Sequence, residues 1–198
     1  MEHGDCFSLL LPSLRTAQDQ VELWKVTEVE SEGLIELLCA ACDRLRAVLN
    51  ANDQTWGALA GFPDLPRLVA NKQRKSIETL MKGLRHSMET FQCVRDEILQ
   101  QYKRSLSIVF DDLSGQLSKD EIMTSTPFRP SIHCVLQLLS ELNEHLSSEA
   151  ERKRLLLSAF VYEDSSSTLR EEWNSTRLQE KIKAAVQLMR FSTSLETR

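Results

Sequence analysis

The chain has 198 residues, 41% of them hydrophobic and 27% charged, with a formal net charge of −5. This composition excludes a disordered tail and suffices for a sizeable core, while the acidic balance argues against a dedicated nucleic-acid binder, which needs a concentrated positive surface. Six glycines and five prolines are too few for the turns of an all-β fold, so helices are the economical solution.

Phe7 to Leu11 is apolar, but Glu2 and Asp5 precede it and Pro12 ends it, which is not the pattern of a signal peptide. The first helix is expected over about 13–49. Leu14, Ala17, Val21 and Trp24 follow three- and four-residue spacing, Gly33 is a place for an interruption, and the stripe resumes from Leu34 through Leu37, Leu38, Ala41, Leu45, Val48 and Leu49. Asn50-Ala51-Asn52-Asp53 ends it, because short polar side chains compete for backbone hydrogen bonds. Trp56 to Pro63 reads as a connection, with Asp64 placed to cap the next helix and Pro66 in its first turn, where a missing N–H is harmless.

That second helix, expected over about 65–117, dominates the chain. Ile77, Leu80, Leu84, Met88, Phe91, Val94, Ile98, Tyr102, Leu106, Val109 and Leu113 make ten steps over 36 positions, the period of one helical face. At ~1.5 Å per residue the run from Arg67 to Leu113 would span roughly 70 Å. Leu80, Leu84, Phe91, Val94 and Ile98 are its expected core. Gly83, inside it, marks a place for close helix contact.

Thr124-Ser125-Thr126-Pro127-Phe128-Arg129-Pro130 is the clearest breaker, after which Ser131 can cap a third helix over about 131–161, continuous through its charged middle. Glu163 to Thr168 reads as a serine-rich connection. Trp173, Leu178, Ile182, Ala185, Val186 and Met189 then outline a fourth helix over about 172–191, with frayed ends at 1–12 and 192–198. The expected fold is all-α: a single domain over 1–198, an elongated antiparallel bundle of about four helices around one very long helix. The unequal helix lengths leave part of the long stripe for a partner.

No apolar run approaches the ~18 residues needed to cross a bilayer, so no membrane association is expected. Cys6, Cys39, Cys42, Cys93 and Cys134 are odd in number and mostly on apolar helical positions, as suits buried thiols in a reducing compartment. Cys39-Ala40-Ala41-Cys42 has the spacing of a redox or metal motif, yet lacks the βαβ context of the one and the further ligands of the other; His133, Cys134 and His145 could complete a metal site only through tertiary contact. There is no G-x-S-x-G elbow, P-loop or G-x-G-x-x-G cradle, and Asp111-Asp112 and Glu171-Glu172 diverge as helical neighbours. No catalytic residue, cofactor or metal is expected. The aromatic residues are anchors: Trp24 and Trp173 for the core, Trp56 for core or interface, and Phe62 as a plug at the junction of the first two helices or an interface residue. Arg152, Lys153 and Arg154 form a short basic cluster suited to an interface rim.

Phe62-Pro63-Asp64-Leu65 followed by Lys72-Gln73, then Val94-Arg95-Asp96, Pro130-Ser131-Ile132, Arg152-Lys153-Arg154-Leu155-Leu156-Leu157-Ser158 and Trp173, recur in a similar order in the AIRIM family of ribosome-maturation factors, which the chain resembles over roughly residues 24 to 190. The resemblance implies a non-enzymatic helical adaptor. Its implied partners are a SPATA-type AAA ATPase and a cyclin-dependent-kinase-interacting protein, with the large pre-ribosomal subunit engaged indirectly and no direct sequence-specific nucleic-acid contact. The implied task is cytoplasmic maturation of the large subunit, the ATPase releasing a shuttling assembly factor, with the nucleus as a second compartment. Periodicity alone leaves an alternative, a homo-oligomeric coiled-coil tether or scaffold in trafficking or the cytoskeleton, self-associating through the Ile77 to Leu113 face.

Overall fold

The structure is a computed structural model that describes residues 6–112, 119–125, 130–160, 166–174 and 187. It is all-α, in the order α1 (Cys6–Asn50), α2 (Asp53–Trp56), a 3₁₀ turn (Gly57–Gly61), α3 (Leu65–Ser107), a π turn (Ile108–Asp112), α4 (Lys119–Met123), α5 (Ile132–Ala159) and α6 (Ser166–Trp173). Contacts divide the chain into two compact units: Met1–Val26 with Thr90–Glu151 and Thr176–Arg198, and Thr27–Glu89 with Arg152–Ser175.

The first helix is longer than the spacing predicts. It begins at Cys6 and carries Pro12 inside it. Proline in a helix interior removes one backbone hydrogen bond and costs about 3 kcal/mol. Phe7, Leu10, Leu11 and Leu14 are all buried, and at about 1.5–3 kcal/mol for each buried apolar side chain they outweigh that cost. Gly33 causes no interruption either. The buried stripe passes through Thr27 and Ser31 between Trp24 and Ile35, so the face is continuous although two of its positions are polar. The next helix starts at Leu65 as its proline and aspartate predict, but the cap differs. The Asp64 carbonyl accepts the Leu68 N–H at 3.0 Å, while the Asp64 carboxylate pairs with Arg67 at 3.1 Å.

In the first unit the core comes from the N-terminal half of α1, the C-terminal half of α3 and most of α5. Trp24 and Phe91 meet with ring centroids 4.4 Å apart at a 50° tilt, an arrangement contributing about 0.5–1.5 kcal/mol beyond the area it buries. Val94, Ile98, Leu139 and Leu146 are almost wholly buried with them. Past Ile98 the buried face of α3 turns to Gln101, Ser105 and Val109, leaving Tyr102 and Leu106 half-buried. Leu113 to Leu117, the expected end of the long helix, lie outside the described residues. Ser131 caps α5 as predicted, its hydroxyl accepting the Cys134 N–H at 3.1 Å, and α5 runs unbroken through its charged middle.

In the second unit α1 and α3 run antiparallel in a fixed register. A Cβ on Gly83 would stand 3.2 Å from Leu34 Cδ1, the close approach its glycine permits, and Arg44 Nε donates to Gln73 Oε1 at 3.3 Å. From Leu34 to Arg44 and from Gly83 back to Gln73 the steps are equal and opposite, as antiparallel helices with a common rise require. Of the expected core, Leu84, Phe91, Val94 and Ile98 are buried, whereas Leu80 is half-buried. Most of the helix expected over 172–191 lies outside the described residues. α6 starts at Ser166, within the serine-rich stretch read as a connection, and ends at Trp173; beyond Asn174, Gln187 is the one residue of that span among the described residues.

Phe91 gives the core its simplest test. Phe91→Ala should lower stability by about 3–5 kcal/mol, and Phe91→Asp, which buries an unpaired carboxylate, by more. Denaturant titration followed by circular dichroism measures both; unchanged midpoints would show that this face is not core.

Candidate functional site

The sequence candidates fall into two places, both within the second unit. The first is the turn between α1 and α3. Asn52 caps α2, its side-chain oxygen accepting the Thr55 N–H at 3.0 Å, and the chain then passes through Gly57 with φ +51°, a left-handed conformation suited to glycine. Phe62 is held by its backbone on both sides: its N–H donates to the Leu59 carbonyl at 3.0 Å, and its carbonyl accepts from the Leu65 N–H at 3.0 Å. Its ring is nevertheless 62% exposed, so the expected plug between the helices is not formed. Trp56 is half-buried.

Three leucines join Phe62 at this end, each at least half exposed: Leu59 and Leu68, which periodicity did not single out, and Leu49, which it did. Leu49 continues the stripe of Leu38, Cys42 and Leu45 and so reads as core from the sequence. It is 54% exposed. Leu49 and Leu68 also lie at the same level of the antiparallel register, five residues beyond Arg44 and five before Gln73.

The second place is the basic cluster, whose three residues have separate fates. Arg154 is exposed, Arg152 is half-buried and Lys153 is fully buried. Lys153 Nζ donates to the Trp173 carbonyl at 3.3 Å, stands 3.5 Å from Glu28 Oε1, and lies 4.6 Å from the Trp173 ring centroid. Arg152 donates to the carbonyls of Glu172 and Trp173, the latter at 3.3 Å. Two cations thus satisfy the C-terminal carbonyls of α6, where the helix end carries partial negative charge. The Trp173 indole donates to Ser31 Oγ at 3.2 Å, and the Ser31 hydroxyl in turn donates to the Glu28 carbonyl at 2.8 Å. The geometry makes Lys153 a clasp for α6. No local pattern could have shown this, since Trp173 and Ser31 are 142 positions apart.

Cys39 and Cys42 are buried free thiols and Cys93 is exposed. Burial pushes the Cys39 thiol up against the opposing influence of nearby Arg170. Burial, with the neighbouring Cys39 and Asp43 adding to it, pushes Cys42 up to about 11. Neither is therefore a ready nucleophile at neutral pH, where the thiolate is scarce. Among the described residues no group of three or more His, Cys, Asp or Glu side chains is placed to hold a metal, and no helix is long and apolar enough to cross a membrane. The arrangement offers surfaces for association and a closed polar clasp.

Comparison with known proteins identifies the family. The model of the C1orf109-like ribosome biogenesis protein family matches residues 8–191. A Mus musculus protein named AFG2-interacting ribosome maturation factor is 23% identical over 171 residues, covering 84% of this chain and 78% of the relative. The Homo sapiens protein of the same name is 22% identical over 147 residues, covering 74% and 72%. The chain belongs to the C1orf109-like ribosome biogenesis family.

Two measurements follow from the clasp and the thiols. Lys153→Ala should cost about 3–5 kcal/mol, because it leaves Glu28 in a mostly buried site without its cation, and Lys153→Met with Glu28→Gln should recover much of that loss in denaturant titration. Maleimide labelling read by peptide mass mapping should modify Cys93 well before Cys39 and Cys42 at neutral pH. Because their raised values favour the protonated form, labelling of the buried pair should accelerate as pH rises, for Cys42 until about 11.

Proposed function

We propose that this family member is a non-enzymatic adaptor that joins an AFG2-type AAA ATPase to cytoplasmic maturation of the large ribosomal subunit, helping the ATPase release a shuttling assembly factor. The observation that carries this reading is the family match over residues 8–191, together with relatives named for AFG2 interaction and ribosome maturation. Force generation belongs to the ATPase and the chain supplies a rigid helical element with separate faces, a division that suits a sequence without a nucleotide cradle. A cyclin-dependent-kinase-interacting protein is the second proposed subunit. The pre-ribosome is reached through these partners, because an acidic chain makes a poor grip on RNA. Phe62 and Arg154 are the exposed members of the sequence-derived interface set and Trp56 and Arg152 the half-buried ones, whereas Lys153 acts inside the fold.

The tether alternative requires the Ile77 to Leu113 face to be free for another copy. Ile77, Leu84, Phe91, Val94 and Ile98 are each no more than 1% exposed, so over those positions the face is used within the chain. Affinity purification of the full chain with quantitative mass spectrometry, paired with sedimentation, tests the adaptor reading. Near-stoichiometric recovery of an AAA ATPase with pre-ribosomal proteins is expected. A homodimer with no ATPase bound would replace the adaptor with the tether.

A further inference from the structure

The turn end of the second unit differs in charge from the rest of the chain. Between Asp43 and Lys75 there are six basic side chains and three acidic ones, in a protein whose net charge is −5. Four of the basic groups are already engaged: Arg44 with Gln73, Arg46 with Asp43, Arg67 with Asp64 and Arg74 with Asn71. Lys72 and Lys75 are exposed and have no such partner among the described residues. With Leu68 they follow four- and three-residue spacing, which puts all three on one face of α3, opposite the face that buries Ala70 and Ile77. An apolar position is therefore followed along one ridge by two unneutralised cations, at the end of the unit that also carries the exposed Phe62, Leu49 and Leu59.

We propose that this tip is the docking surface for an acidic amphipathic segment of the AAA ATPase, its apolar side covering Phe62 and Leu68 and its carboxylates meeting Lys72 and Lys75. The inference rests on the adaptor reading and supplies the chemistry of the contact. Charge complementarity selects the occupant: unpaired lysines ask for carboxylates, and a second copy of the chain would bring the same positive ridge against itself. Two open lysines in a chain of net charge −5 are too little positive surface to hold a phosphate backbone, which favours a protein segment over RNA. Phe62 is already exposed in the free chain and its backbone is hydrogen-bonded on both sides, so its main chain needs little ordering on binding.

The experiment compares the full chain with two double variants, Phe62→Glu with Leu68→Glu and Lys72→Glu with Lys75→Glu. All four positions are exposed, so helix content and thermal midpoint should match the parent and are checked first. Binding to the purified AFG2-type ATPase is then measured by biolayer interferometry at low and high salt, alongside sedimentation of the chain alone and its titration with a ribosomal RNA hairpin. The expected result is about tenfold or greater weakening in each variant, with parental affinity falling as salt rises and the lysine variant losing most of that salt dependence. Parental affinity in both variants would overturn the proposed surface and leave the adaptor reading standing. A parent chain that does not bind the ATPase would overturn both. Loss in the variants of self-association or of RNA binding, with ATPase binding intact, would assign the tip to another occupant and overturn the inference.

Discussion

The antiparallel register of α1 and α3 is the constraint on which the second unit depends. It is set where Leu34 packs into the space left by Gly83 and is repeated at the Arg44–Gln73 hydrogen bond. Two helices with the same rise cannot change register between such points without breaking one of them. Within this unit every residue on either helix therefore has a fixed partner level, including those beyond the last contact. Leu49 and Leu68 are brought to one level at the turn by this alignment, although neither is held there by a core.

The register also separates what could be read in the sequence from what could not. The face Ile77, Leu84, Phe91, Val94 and Ile98 was legible because one apolar residue per turn has only one simple structural meaning. Continuity of α1 through Thr27 and Ser31 was not, since the stripe is carried there by hydroxyl side chains and a glycine nearby offered a plausible break. Ser31 is buried because Trp173 needs an acceptor, and that need arises far away in the chain. Pro12 misled for a similar reason: its local cost was visible, whereas the burial of Phe7 and Leu10 that offsets it depends on tertiary packing. At the turn, spacing placed Leu49 in the core because periodicity describes a face and says nothing about where its cover ends.

The same limitation divides the residues proposed as interface from sequence. A basic triplet and an aromatic in a connection both look like surface features. Phe62 is one, 62% exposed at the turn, whereas Lys153 turns inward to the end of α6. Charge near a helix end can complete the fold as readily as it can meet a partner, and burial decides between them. The outward apolar residues and the inward cation then take different parts in an adaptor: the former are available for association, while the latter keeps the helices that present them in one arrangement.

The burial of Lys153 makes an amine's chemical availability depend on the docking of a helix. Enzymes that acetylate or ubiquitinate lysine need the ammonium nitrogen free to lose a proton and approach an acyl donor. In the folded chain that nitrogen is covered by Trp173 and held beside Glu28. Arg152 and Arg154 on either side remain wholly or partly open to solvent, so a reader of basic sequence would meet the flanks of the triplet and miss its centre. Undocking α6 would expose a lysine that could be marked, and the mark, by removing the charge, would hinder the helix from returning.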